Sequence, residues 1–142
     1  MFELKHSVVD IAVVCSDFEK SLEFYRDRLG MDVALDIAIP DSTAQGACLA
    51  PTGFRQVRLK LGETLIKLVE SKDKLEPRTT EFQAGVRWLT VIVKDVPEAV
   101  AALSKKGVRF LSEPVAAPDA AYVVCAEAPD GILIEFVQLL DS

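Results

Sequence analysis

One pattern runs through this chain twice: a short apolar strand, an Asp at the start of a helix, a glycine at its end, and then three more strands. The first pass begins at Val8 to Val14, which is apolar, β-branched and short, as a strand should be. In Ser16-Asp17-Phe18-Glu19, Ser is followed three residues later by Glu, a capping-box pattern that predicts a helix start. Phe18, Leu22, Tyr25 and Leu29 recur at helical spacing and mark one apolar face. Gly30 sits where a C-terminal cap belongs. A strand is expected from Met31 to Ile37, then a loop rich in Ala, Pro and Gly up to Gly53. Phe54 to Leu61 alternates polar and apolar residues, Gly62-Glu63 is a turn, and Leu65 to Val69 returns as a strand.

The second pass has the same grammar. Gly85 to Val93 reads as a strand, and Asp95-Val96-Pro97-Glu98 repeats the helix start, with Pro tolerated in the first turn. Val96, Val100 and Leu103 form the apolar face and Gly107 the stop. Strands are expected at Val108 to Leu111, Tyr122 to Ala126 and Ile132 to Leu139, with Pro129-Asp130-Gly131 as a turn. Asp17 and Asp95 align at an offset of 78. The chain of 142 residues is therefore read as a single α+β domain over 1–142, made of two βαβββ modules near 5–70 and 84–140 joined by a linker at 71–83.

Bulk properties narrow the function classes. Half the residues are hydrophobic, so a packed core is expected. A net charge of −6 argues against nucleic acid and anionic membrane surfaces, which need clustered positive charge. No apolar run approaches the roughly 18 residues of a membrane span, and Met1 to Lys5 lacks the apolar core of a signal peptide. Cys15, Cys48 and Cys125 are odd in number and far apart, so neither a disulfide framework nor a cysteine zinc site is expected. A cytoplasmic protein with reduced thiols is the default.

The run Val8-Val9-Asp10-Ile11-Ala12-Val13-Val14-Cys15-Ser16-Asp17, leading into Ser21-Leu22-Glu23-Phe24-Tyr25 and Leu29-Gly30, resembles the opening of the vicinal-oxygen-chelate superfamily of glyoxalases, bleomycin-resistance proteins and extradiol dioxygenases. Val91 to Gly107 resembles the second opening, and Ala128-Pro129-Asp130-Gly131-Ile132-Leu133-Ile134-Glu135-Phe136 the closing stretch. The resemblance implies a curved mixed sheet around a cleft, with four key positions, two per module. In metal-dependent members these are His and Glu holding one divalent ion. Here they correspond to Asp10, seven residues before Asp17; Lys67, within Ile66-Lys67-Leu68; Trp88, seven before Asp95; and Glu135. Only Glu135 keeps the family's usual ligand type.

Strand alternation supports the same positions: Asp10, Lys67 and Glu135 are each flanked by apolar residues. An ammonium has no lone pair for a metal, so no metal site is expected, with an ion at Asp10 and Glu135 as the alternative. Lys67 with Asp10 and Glu135 is either a structural ion cluster or a functional set, holding an anionic or carbonyl group or acting as acid and base. Trp88 is either a stacking floor for a planar ligand or a core aromatic filling the lost metal site. Gln56, Arg58 and Lys60 alternate with Val57, Leu59 and Leu61; they either face the cleft mouth, where Arg58 can pair with a carboxylate or phosphate, or form a solvated face. The loop from Ile39 to Thr52 is either a lid or a long connection.

The chain's one histidine, His6, lies on the order of 13 Å from Asp10 along an extended strand and is read as a surface or strand-entry residue. A two-His iron site and a hydrolase triad are therefore not supported. The expected function is binding of a small organic molecule by a glyoxalase-like protein without the usual metal. The alternatives are an isomerase, epimerase or lyase using Asp10, Lys67 and Glu135, rather than a dioxygenase, and a packed domain acting in protein interaction. A homodimer is implied by the resemblance.

Overall fold

In the first strand, β1 (Ile11–Cys15), Val13 and Cys15 are buried while Ala12 and Val14 are exposed, so the two faces of the strand separate at once. A computed structural model describes residues 1–141. The chain follows with α1 (Phe18–Leu22), β2 (Asp32–Ile39), α2 (Asp41–Gly46), β3 (Phe54–Leu61) and β4 (Thr64–Glu70). It continues with β5 (Trp88–Ile92), α3 (Val96–Lys105), β6 (Val115–Ala117), β7 (Ala120–Glu127) and β8 (Leu133–Leu139). The strands form two four-stranded sheets, ordered β1-β4-β3-β2 and β5-β8-β7-β6. In each, the first and last strands of a module pair in parallel and the other neighbours run antiparallel. The repeated α+β organisation read from the sequence is thus present. The chain divides into two compact units, with the boundary between Pro77 and Arg78.

Both module-opening helices start on Asp. Asp17 accepts from the Lys20 amide at 3.2 Å and Asp95 from the Glu98 amide at 2.8 Å, each satisfying a first-turn donor with no other helical partner. The predicted Ser16 cap is corrected: Asp17, one residue on, takes that role. Beyond Leu22 the helix widens into a π-helical stretch (Glu23–Arg28), in which the Leu29 amide donates to the Phe24 carbonyl. The wider turn rotates the apolar face. Phe24 and Tyr25 are therefore both buried, ring edge to ring face at 5.1 Å, and Leu29 is only partly covered.

Each sheet has a helix side and an open side. In the first module Val13, Val57, Leu59, Ile66 and Leu68 are buried on the side of α1, with Phe18, Leu22 and Tyr25. Each such side chain gains roughly 1.5–3 kcal/mol from leaving water, so register is firmly set: a slip of one residue would turn this row outward. In the second module Val124, Ala126, Ile134 and Phe136 form the matching row.

Three other expectations change. β1 begins at Ile11 rather than Val8, so Asp10 lies just before the strand. The loop to Gly53 contains the short helix α2, ended by Cys48 at a left-handed φ of 57°. The expected strand from Val108 to Leu111 reduces to one bridge, Phe110 to Ala126, and the edge strand is β6 instead. The Val108 amide is taken by the Leu103 carbonyl, closing α3 around Gly107 at φ 85°. Pro114 and Pro118 then bound the short β6, as suits an edge position.

Candidate functional site

The open side of the first sheet is assembled by register. Ala12 pairs with Lys67 and Val14 with Val69 across β1 and β4. Lys67 pairs with Arg58, and Val69 with Gln56, across β4 and β3. Paired residues project to the same side of a sheet, so Ala12, Val14, Gln56, Arg58, Lys67 and Val69 share one face. Ile66 and Leu68 are buried on the other, which places Lys67 on the open side as its alternation predicts.

On this face lies a cavity of about 310 Å³. Its floor is Ala12 and Val14 of β1, Phe54 and Gln56 of β3, and Lys67 and Val69 of β4. Residues 49–52, which follow α2, form a wall. That wall is anchored by an apolar cluster of Ala44, Phe54 and Val69, with Ile39 and Ala50 packed against it. It is also clasped by polar contacts. Asp41 accepts from the Gly53 amide at 2.5 Å and stands 3.5 Å from the Lys72 ammonium. These partners hold its carboxyl below the ordinary value of 3.8, the Gly53 hydrogen bond contributing most. Gly53 itself has no room for a Cβ, which would meet the Ile39 carbonyl oxygen and the Asp41 backbone. Sequence reasoning offered this segment as a lid or a connection. It missed α2, because six residues carry too little periodicity to announce a helix.

Lys67 is 3.8 Å from the Asp10 carboxylate, with their side chains 29 % and 35 % exposed. The distance is an ion pair without a hydrogen bond. Asp10 lines a second, wider cavity of about 760 Å³ on the same module, with His6, Arg58 and Lys60 also on its wall. Gln56 is 7 % exposed, and the Nε of Arg58 is buried without a hydrogen-bond partner. Gln56 thus lines the first cavity, and Arg58 and the exposed Lys60 the second.

In the second module Glu135 lies on β8 between buried Ile134 and Phe136. Its register partners are Thr90 on β5 and Cys125 on β7. The Thr90 hydroxyl donates to the Glu135 carboxylate at 2.6 Å. Burial pushes the Cys125 thiol up, the Glu135 charge adds to it, and Arg87 opposes. Trp88 shares strand parity with Thr90 and is 48 % exposed. Thr90 was missed by sequence reasoning, although its parity with Trp88 on a five-residue strand was the available signal.

These side chains do not fit a divalent metal. Lys67 and Trp88 offer no lone pair, Asp10 is engaged by an ammonium, and Glu135 by a hydroxyl. Among the described residues of either module, no group of three or more His, Cys, Asp or Glu side chains is placed to hold an ion.

Comparison with known proteins agrees with this architecture. The uncharacterized protein YwkD of Bacillus subtilis is 33 % identical over 113 residues, 79 % of each chain. The mitochondrial methylmalonyl-CoA epimerase of Mus musculus is 30 % identical over 107 residues, covering 72 % of this chain and 54 % of its own, so the chain spans about half the length of that relative. Among solved structures, a glyoxalase family protein from Bacillus cereus superposes with a TM-score of 0.77 at 17 % identity, covering 99 % of both chains. TnmS3, an antibiotic binding protein from Streptomyces sp. CB03234, gives 0.66 at 23 % identity, covering 97 % of this chain and 100 % of its own. At such identities the likeness speaks for the fold. The model of the Glyoxalase/Bleomycin resistance protein/Dioxygenase superfamily matches residues 7–136, and the chain belongs to that superfamily.

Proposed function

We propose that this chain binds a small organic molecule in the cavity of its first module, without the divalent ion that metal-dependent members of the superfamily hold. The observation that carries this reading is the cavity itself: mostly apolar walls with a few polar groups, Thr52, Gln56, Lys67, Ser71 and Asp73. A concave, mostly apolar site with a few polar groups is the usual form of a ligand site, and about 310 Å³ suits a ligand at the small end of that range. The antibiotic-binding neighbour TnmS3 adds weight, as a protein of this fold named for binding rather than chemistry. Trp88, exposed on β5, is proposed as a stacking surface of the second module in its own right.

The test is a thermal-shift screen of small organic acids, amides and aromatics, with and without divalent metals. A ligand at a hundredfold excess over its Kd should raise Tm by on the order of several degrees. Ala12→Trp, which fills the cavity, should abolish the shift. A shift that survives Ala12→Trp would place binding elsewhere.

The epimerase relationship favours a second reading, in which Asp10 and Lys67 of the first module, or Glu135 of the second, act as acid and base groups in an isomerase, epimerase or lyase reaction. Incubation with methylmalonyl-CoA in deuterated water tests it. Solvent deuterium entering next to the carbonyl, and lost in Lys67→Ala, would replace simple binding by catalysis.

A cytoplasmic home is supported by three free cysteines. A homodimer is proposed, as the superfamily resemblance implies; sedimentation at twice the chain mass is the expected result. Among the described residues no helix is long and apolar enough to cross a membrane.

A further inference from the structure

Strand β3 carries two arginines three residues apart, and the sheet treats them differently. Arg55, on the helix side, is saturated. It makes two hydrogen bonds to Asp36, at 3.0 and 2.9 Å, lies 3.9 Å from Glu19, and its guanidinium sits 4.9 Å over the Phe18 ring. Arg58, on the open side, has none of this. Its Nε is buried and unpartnered, and the residue directly across the ladder is another cation, Lys67. Like charges opposite each other on one face of a sheet are destabilising. A buried guanidinium N–H without an acceptor costs more again. Among the described residues the carboxylate paired with Lys67 is Asp10, at 3.8 Å and without a hydrogen bond, so the ammonium keeps its donors.

We propose that Arg58 and Lys67 together bind the anionic head of an amphiphilic ligand, a carboxylate in the first instance, whose apolar body fills the cavity floored by Ala12, Val14 and Val69. This rests on the reading of that cavity as a ligand site, and adds to it the chemical class of the ligand. Lys67 lines the apolar cavity and Arg58 the wider polar one beside it, so the pair stands at their junction. Gln56, buried on the same face, contributes a neutral polar contact. An incoming carboxylate supplies the acceptor that Arg58 lacks and screens the two cations from each other. Charge-assisted bonds of this kind are the strong ones, and Arg adds directionality to the point charge of Lys. Asp10 then competes with the ligand for Lys67.

The experiment uses matched pairs differing only in the head: 2-naphthoate with 2-naphthamide, and decanoate with decanamide. Affinities are measured by calorimetry on the full chain at low salt. The wild type should prefer each acid over its amide by tenfold or more. Arg58→Gln and Lys67→Met should remove that preference while amide affinity stays within a few-fold. Asp10→Asn should widen it, a gain of affinity that a misfolded variant cannot produce. Equal affinity for acid and amide in the wild type would overturn the anion site and leave the cavity reading standing. An unchanged preference in both Arg58→Gln and Lys67→Met would also overturn it. Failure of every acid and amide to bind would overturn both readings together.

Discussion

Replacing a metal-ligating carboxylate by an ammonium turns an acceptor-only group into a donor-only one. The superfamily resemblance implies that change at Lys67, and on the proposed reading it turns the preference of this face from cation to anion. The sequence made the reversal legible, because Lys67 sits between two apolar residues that fix which way it points. What it could not show was Arg58 across the ladder, since pairing between β3 and β4 depends on the turn at Gly62, here at φ 59°. Glu135 has its own local consequence. Burial and the Glu135 charge both raise the Cys125 thiol. The pH profile of Cys125 alkylation should therefore lie above that of a free thiol. Glu135→Gln should move it down without fully normalising it, since burial is the larger cause. Peptide mass spectrometry across a pH series reads this directly, and an unmoved profile in Glu135→Gln would show that the carboxylate does not act on the thiol.

At the scale of elements, both helix starts were readable to within one residue because capping is local: Asp17 and Asp95 each bond an amide three residues away. The α2 segment was not readable, because its place depends on Phe54 and Val69, which come later in the chain. Its clasp carries a pH dependence with a definite sign. The Asp41 carboxyl lies below its ordinary value of 3.8. Its contribution is therefore fully present above that value and is lost as pH falls through the lower folded-state value. In Asp41→Asn the charge-assisted bond to Gly53 and the pairing with Lys72 are weakened at every pH. Hydrogen exchange at the Gly53 amide should rise several-fold in the variant at neutral pH, whereas in wild type the same loosening should appear only in acid. Equal protection of this amide in both proteins at neutral pH would remove Asp41 from the clasp. The misplaced β6 has a different cause: Val108 is β-branched and reads as strand, yet its amide completes the cap of α3.

For the whole molecule, an acidic chain of net charge −6 is expected to repel anions at long range. The proposed anion recognition is then short-ranged and local, at Arg58, whose buried Nε lacks a partner, and at Lys67, whose pairing with Asp10 makes no hydrogen bond. Raising ionic strength should weaken acid binding and leave amide binding almost unchanged. The duplicated βαβββ plan was legible because it rests on periodicity repeated at an offset of 78. The chemistry within that plan was legible only in part, because it depends on which residues face one another across each sheet. The superfamily supplies the fold, and the side chains on the open faces decide what that fold does. The most direct test of metal-independent binding is calorimetric titration of the chain with a ligand that shifts its Tm, after exhaustive EDTA treatment and again with added zinc, nickel, manganese or iron(II). The same affinity is expected in every titration, with no divalent ion retained at one per chain through gel filtration. Binding that disappears in EDTA and returns with one metal would contradict metal-independent binding.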